Sequence, residues 1–170
     1  MVTLETKRLK IVALDMENLE LRVKDFEKME QNLGVVPSGH KDDIGLQDAM
    51  KEGLRNARKD IENYIWYTNW QIILKEENVI IGSASFKNAP DFMGEVELGY
   101  GINRKYQGKG YMTEAAKTMV EWALSQDNIY TIIAETLKKN VKSHRVLEKC
   151  GFEICNETGA NYWWRKGSGE

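Results

Sequence analysis

A glycine-containing segment between residues 95 and 116 has the residue types and spacing best suited to chemistry. It reads EVELGYGINRKYQGKGYMTEAA, in which a strand-like run precedes Gly108 and Gly110 and a helical pattern follows them. A helix start exposes unpaired N–H groups and the positive end of the helix dipole, and glycine lets the backbone approach an anion closely. With Lys109 between the glycines, the segment predicts a phosphate-binding loop. A strand-to-helix turn that merely uses glycine is the alternative.

Two common nucleotide motifs are excluded for this loop. A P-loop requires a lysine followed by Ser or Thr, whereas Gly110 follows Lys109. A dinucleotide fingerprint requires three spaced glycines, and neither the Gly99/Gly101 pair nor the Gly108/Gly110 pair supplies the third.

The elements that must position this loop follow from hydrophobic periodicity. Helices before and after a meander of strands predict a mixed α/β (α+β) fold. Strands are expected at 4–14, 70–75, 79–88, 95–103, 130–136, 152–157 and 162–165. Helices are expected at 15–30, 47–67, 113–125 and 141–149.

Composition bounds the class of protein. The 170 residues carry 24 Lys and Arg against 26 Asp and Glu, a balance that gives no reason to expect nucleic-acid binding. No apolar run is long enough to span a membrane, and the charged N-terminal stretch favours a cytoplasmic protein. With two histidines and two cysteines, no metal site is expected. Length predicts one domain over residues 1–166, followed by a flexible tail at 167–170.

Three motifs in order make the chain resemble the GNAT superfamily of acyl-CoA N-acyltransferases. QGKGYM at 107–112 is similar to the superfamily's pyrophosphate loop, and NVKSHRVLEKCGF at 140–152 to its following helix. Together with ETKRLKI at 5–11 and ELGYGI at 97–102, these segments resemble the branch that acetylates N-termini of ribosomal proteins. Met112 stands where the pattern has Gly or Ala, a departure that a helical backbone N–H tolerates.

The resemblance implies a GNAT fold and an acetyl-CoA site. The fold has a mostly antiparallel twisted sheet of about seven strands, with about four flanking helices and a slot where the fourth and fifth strands splay apart. The pantetheine arm would lie in that slot, much as an added strand would pair with a sheet edge. Residues assigned to the cosubstrate are Tyr100, Gly101 and Ile102 for pantetheine; Gln107, Gly108, Lys109, Gly110, Met112 and Thr113 for pyrophosphate; and Asn140 and Ser143 on the other wall.

The resemblance also implies which groups move protons. Only a neutral amine can attack the thioester. The ammonium of a lysine side chain, with a pKa of about 10.4, costs roughly 4.6 kcal/mol to deprotonate at pH 7, whereas an α-amine costs about 1 kcal/mol. Glu97 and Glu135 are the two candidate bases, and the choice between them stays open. Leu147 occupies the position at which many relatives carry a tyrosine, so the usual acid is absent. Ser143 is the candidate hydrogen-bond donor to the departing thiolate.

The implied activity is transfer of an acetyl group from acetyl-CoA to a primary amine by direct attack in a ternary complex. The acceptor is a protein N-terminal α-amine or a small molecule such as a polyamine, amino acid or antibiotic. A non-catalytic acyl-CoA-binding module is a further alternative. The expected partners are acetyl-CoA and the acceptor, with neither nucleic acid nor membrane, in a monomer or a homodimer.

Overall fold

The computed structural model describes residues 1–169. Its strands are β1 (Thr3–Glu5), β2 (Leu9–Ala13), β3 (Asn69–Leu74), β4 (Val79–Phe86), β5 (Glu95–Ile102), β6 (Thr131–Leu137), β7 (Glu153–Thr158) and β8 (Asn161–Gly167). Its α-helices are α1 (Met16–Lys24), α2 (Phe26–Leu33), α3 (Ile44–Lys59), α4 (Tyr111–Leu124) and α5 (Val141–Lys149). Short 3-10 helices cover Ile61–Trp66 and Arg104–Tyr106.

The strands form one sheet in the order β1-β2-β3-β4-β5-β6-β8-β7. Each neighbouring pair is antiparallel except β5 and β6, which are parallel. The β5–β6 pairing covers only Glu95, Val96 and Glu97, opposite Thr131 to Ile133. Beyond those residues β5 stays paired with β4, and β6 stays paired with β8. The two strands therefore splay apart in the middle of the sheet, which confirms the expected mixed fold and its slot.

Hydrophobic cores cover both faces of the sheet. On one face, the apolar sides of α4 and α5 pack on alternate residues of the strands, such as Trp70, Phe86 and Leu98. On the other face, α1, α2 and α3 cover a smaller core around Ile73 and Ile80. Because side chains alternate along a strand, each residue of β5 is assigned to one of these two faces.

Three predicted elements are divided in the structure. The helix expected at 47–67 is α3 followed by the 3-10 helix Ile61–Trp66, and the two meet at Asp60. The strand expected at 4–14 is a hairpin of β1 and β2, because Thr6 closes a turn in which its N–H donates to Leu9 O and its Oγ1 accepts from Leu9 N, each at 2.9 Å. The helix expected at 15–30 is two helices joined at Asp25. The Asp25 carboxylate caps the second by accepting from Lys28 N at 3.0 Å. The hairpin brings the number of strands to eight.

The C-terminal strand extends to Gly167, which pairs with Thr131 and so lies one residue inside the segment expected as a tail. Glu170, the last residue of that expected tail, lies outside the described residues. Within residues 1–169, no helix has both the length and the apolar character needed to cross a membrane.

Candidate active site

The glycine loop has the backbone conformation that its sequence predicts. Gly108 and Gly110 have φ angles of 77° and 81°, in the left-handed region that favours glycine. Gly110 is the N-cap of α4, and no side chain caps that helix. The Met112 side chain is buried in the core, so the residue takes part in the loop only through its backbone. The first turn of α4 therefore presents its N–H groups without a competing side-chain acceptor.

Arg8 braces this loop, a role that the sequence analysis missed. Its Nε lies 2.7 Å from Glu114 Oε2, and one terminal nitrogen donates to Lys109 O at 3.0 Å. Its guanidinium carbon lies 4.4 Å from the centre of the Tyr111 ring. Burial alone would raise the pKa of Glu114, but hydrogen bonds from Thr6 and Arg8 hold it below its ordinary value. The only signal was that Arg8 lies within the ETKRLKI motif.

The opposite wall of the slot is the first turn of α5. Asn140 caps that helix, its Oδ1 accepting from Ser143 N at 3.3 Å. The Tyr100 hydroxyl oxygen, which comes from β5, lies 2.7 Å from Ser143 Oγ. Burial raises the pKa of Tyr100 to about 12, so its hydroxyl keeps its proton at neutral pH. Leu147 is fully buried in the core, and the hydroxyl that faces Ser143 comes from Tyr100.

The edge of β5 that faces the slot is free of strand pairing beyond Glu97. Lys87 N donates to Glu97 O at 2.9 Å, and Asn103 N donates to Ile81 O at 2.8 Å. Antiparallel pairing alternates, so the peptide groups of Tyr100 and Ile102 point away from β4 and into the slot. Those of Gly101, which the resemblance assigns to pantetheine together with Tyr100 and Ile102, point towards β4. Ile102 O also accepts from Gln107 Nε2 at 3.3 Å, which connects this edge to the glycine loop.

A cavity of about 730 Å³ lies on the other face of the sheet, against α1, α2 and α3. Its floor consists of amides, hydroxyls and glycines of the strands, and its wall includes apolar side chains of α3. Residues of the floor include Asn69, Gln71, Ser83, Ser85, Gly99 and Gly101. The cavity therefore reaches the part of β5 that borders the slot.

The two candidate bases lie on this cavity face, one on each side of the splay. Ile133 pairs with Glu97, and alternation places Glu135 on the same face as Ile133. Lys87 Nζ lies 2.9 Å from Glu97 Oε1, whose side chain is 19% exposed. Glu135 lines the cavity, is exposed, and accepts a hydrogen bond from Asn161 Nδ2. Glu97 thus has a cationic partner and Glu135 a neutral one.

A buried ion pair fixes one end of the cavity. Arg22, whose side chain is 2% exposed, binds Asp42 through both terminal nitrogens, at 2.6 and 2.9 Å. Its Nε donates to Asn69 Oδ1 at 3.2 Å, which ties the pair to the cavity floor. His40, which received no role from the sequence, lines the cavity and places Nε2 2.6 Å from Asp42 Oδ1.

Comparisons with known proteins agree with this architecture. The acetyltransferase (GNAT) domain family matches residues 9–153. Uncharacterized N-acetyltransferase YjdG of Bacillus subtilis (strain 168) is 31% identical over 162 residues, which cover 95% of each chain. Ribosomal protein uS5-alanine N-acetyltransferase of Escherichia coli (strain K12) is 35% identical over 79 residues, which cover 46% of this chain and 41% of that protein.

A solved structure has the same fold over the whole chain. The crystal structure of ribosomal-protein-S5-alanine acetyltransferase from Vibrio fischeri has a TM-score of 0.73 at 21% identity, covering 100% of this chain and 98% of the other. The family match covers most of the chain, in agreement with the slot and the glycine loop. The chain therefore belongs to the GNAT family of acetyltransferases and is an acetyl-CoA-dependent N-acyltransferase.

Proposed function

We propose that this enzyme transfers the acetyl group of acetyl-CoA to the α-amine of a protein N-terminus. The observation that carries the proposal is the slot between β5 and β6, which has a glycine loop on one face of the sheet and a cavity on the other. Acetyl-CoA and the acceptor amine then meet where β5 and β6 separate, and holding the two reactants together supplies much of the rate enhancement.

The donor would occupy the α4 and α5 side of the slot. The pyrophosphate binds the N–H groups at the start of α4, with Lys109 beside it. The pantetheine amides pair with the open edge of β5 at Tyr100 and Ile102. The remaining predicted contacts are the backbone of Gln107, Gly108, Gly110, Met112 and Thr113, and Asn140 and Ser143 on the facing helix. Acetyl-CoA enters by the glycine loop, so its thioester reaches the closed end of the slot near Glu97.

The cavity chemistry supports a peptide acceptor. Its floor offers neutral amides and hydroxyls, which match the hydrogen-bonding groups of a peptide backbone. Two cations of its wall are already paired, Arg22 with Asp42 and Lys87 with Glu97. A polyamine carries further ammonium groups, each of which requires its own carboxylate. Apart from Glu135, the carboxylate that lines the cavity among residues 1–169 is the exposed Glu52. Similarity to the uS5-alanine N-acetyltransferase points in the same direction.

Proton transfer is assigned to groups on either side of the splay. Glu135 takes a proton from the acceptor ammonium, because it lines the cavity, is open to solvent and has no cationic partner among its described contacts. The neutral amine attacks the thioester carbonyl, whose oxygen accepts from the Tyr100 N–H that faces the slot. The C–S bond breaks, and the departing thiolate accepts a hydrogen bond from Ser143, which is itself paired with the Tyr100 hydroxyl. The second proton on nitrogen passes to solvent as the amide forms.

Thiol release from acetyl-CoA tests the proposal. The acceptor panel should contain peptides beginning with Ala or Ser, the same peptides blocked at the α-amine, polyamines and free amino acids. We expect turnover with the free peptides and none with the blocked ones. Turnover confined to polyamines or amino acids would replace the proposed acceptor with a small molecule. Acetyl-CoA binding by calorimetry without turnover of any amine would favour a binding module.

Replacing Arg8 with Ala is expected to weaken acetyl-CoA binding about tenfold. The substitution removes a charge-assisted hydrogen bond that holds the glycine loop, a contact of about 1.5–3 kcal/mol of which part is recovered by water. Calorimetric titration with acetyl-CoA measures the change. Arg58→Ala is the matched control, because Arg58 of α3 forms a similar 2.7 Å ion pair with Glu20 of α1, away from the loop. Equal affinities for the two variants would contradict the bracing role.

A further inference from the structure

Lys87 extends along the cavity face of β5 towards Glu97. It follows β4 directly, and its N–H donates to Glu97 O at 2.9 Å, which places its side chain on the cavity face beside β5. A methyl group added at Gly99 would come within 2.9 Å of Lys87 Cε. The absence of a side chain at Gly99 therefore leaves room for the Lys87 side chain to lie over β5.

The amine of Lys87 lies at the closed end of the slot, where the pairing of β5 with β6 stops. Its Nζ lies 2.9 Å from Glu97 Oε1, and Glu97 is the last residue of β5 that pairs with β6. Lys87, Gly99, Tyr100 and Glu135 all line the same cavity. In the proposed function, the thioester of bound acetyl-CoA arrives at this end of the slot. Lys87 then occupies the space that the acceptor amine must enter.

We propose that Lys87 is a self-acetylation site, with acetyl-CoA as the donor and Glu97 as the proton acceptor. This inference rests on the proposed function. The Lys87 ammonium gives one proton to the Glu97 carboxylate, and the neutral Nζ attacks the thioester carbonyl carbon. The C–N bond forms, the C–S bond breaks and CoA leaves as its thiolate, while the second proton on nitrogen passes to solvent.

Acetylation changes the cavity chemically. The amide has no positive charge, so the ion pair is lost and the Glu97 carboxylate is left without its cationic partner at the end of the β5–β6 pairing. The Lys87 side chain is 53% exposed, so its amine exchanges protons with water and is not sealed in the fold. External acceptor and Lys87 compete for the same acetyl group, so a saturating acceptor should protect the lysine.

Mass spectrometry of the whole protein incubated with acetyl-CoA alone tests the inference. We expect one acetyl group per chain, located at Lys87 by peptide mapping, with a rate constant independent of protein concentration. Lys75 is the matched internal control, because it forms a 2.9 Å ion pair with Glu5 and is 38% exposed but lies away from the slot. Proximity to the donor predicts acetylation of Lys87 at least about 100-fold faster than that of Lys75.

Two variants and one parallel assay with an external amine distinguish failure of this inference from failure of the proposed function. Lys87→Arg should abolish the single modification, and Glu97→Gln should slow it. Equal acetylation of Lys87 and Lys75 would overturn the inference, because it would show reaction in free solution. An enzyme that turns over an external amine but leaves Lys87 unmodified without acceptor would also overturn it, while supporting the proposed function. Failure to bind acetyl-CoA in calorimetry would overturn both.

Discussion

Glu135→Gln is expected to lower kcat for an N-terminal peptide at pH 7, with little change in acetyl-CoA affinity. Because an α-amine costs about 1 kcal/mol to deprotonate at pH 7, loss of the base that takes this proton is expected to lower the rate about fivefold. The amide of Gln fills the same space and keeps a hydrogen-bonding partner for Asn161, so the substitution removes the basic group rather than the shape. Thiol release measured over the first turnovers gives kcat, and calorimetry gives the affinity.

The pH dependence of this variant provides a second readout. An α-amine has a pKa of about 7.7–8.0, so most of it is neutral at pH 9 without help from the enzyme. The defect of Glu135→Gln should therefore shrink between pH 7 and pH 9, which a purely structural defect would not do. Glu148→Gln on the exposed face of α5 serves as control.

Glu97→Gln decides between the two carboxylates. Because Glu97 is already paired with Lys87, we expect a much smaller loss of kcat than in Glu135→Gln. A large loss in Glu97→Gln with near-normal turnover in Glu135→Gln would transfer the role of base to Glu97. Full activity of the double variant would remove both residues from the proton path.

Asp42→Asn is expected to reduce the free energy of unfolding by about 3 kcal/mol at pH 7, because removing one partner of a buried ion pair leaves the other charge uncompensated. Arg22 would keep its bond to Asn69 but lose both charge-assisted bonds from its terminal nitrogens. Urea unfolding measures the change. Glu20→Gln, which removes the partner of the exposed Arg58, should cost much less. Equal losses of free energy of unfolding in both variants would contradict the greater contribution assigned to the buried Arg22–Asp42 pair.

The stability difference between wild type and Asp42→Asn should depend on pH. Burial tends to raise the pKa of Asp42, but Arg22, joined by His40, holds that pKa below its ordinary value. A lowered folded-state pKa stabilises the protein above the unfolded-state pKa of about 3.9, and the effect disappears as pH falls through the folded-state value. The difference in free energy of unfolding between the two proteins should therefore be constant from pH 7 down to about pH 3.9 and should decrease at lower pH.

Local sequence determined the conformation of the glycine loop and the bounds of α5. Gly108 and Gly110 have positive φ angles, which few other residues adopt, so these two glycines predicted a tight turn before α4. The helix over 141–149 was predicted with its observed bounds, because Asn140 caps it and a glycine follows its end. The strands of the meander were found within a few residues, since alternation of apolar side chains is a local property.

Two breaks in the predicted elements depend on hydrogen bonds from polar side chains to the backbone. Hydrophobic periodicity does not reveal these bonds. Thr6 closes a hairpin inside a run that alternates like one strand, and Asp25 caps a new helix inside a run with helical spacing. In both cases a polar side chain satisfies backbone groups locally, and hydrophobic periodicity continues through the break.

Only the tertiary structure decided the partners of the charged groups. Glu97 and Glu135 were equivalent in sequence, yet one is paired with Lys87 and the other with Asn161. Arg8 reaches Glu114, and Arg22 reaches Asp42. Such pairs join residues far apart in the chain, and their existence depends on the sheet order and on which face each side chain occupies. The sequence by itself therefore determined the fold and the conformation of the glycine loop, whereas the cavity, its paired charges and the exposed Lys87 amine depend on contacts between strands that are distant in the chain.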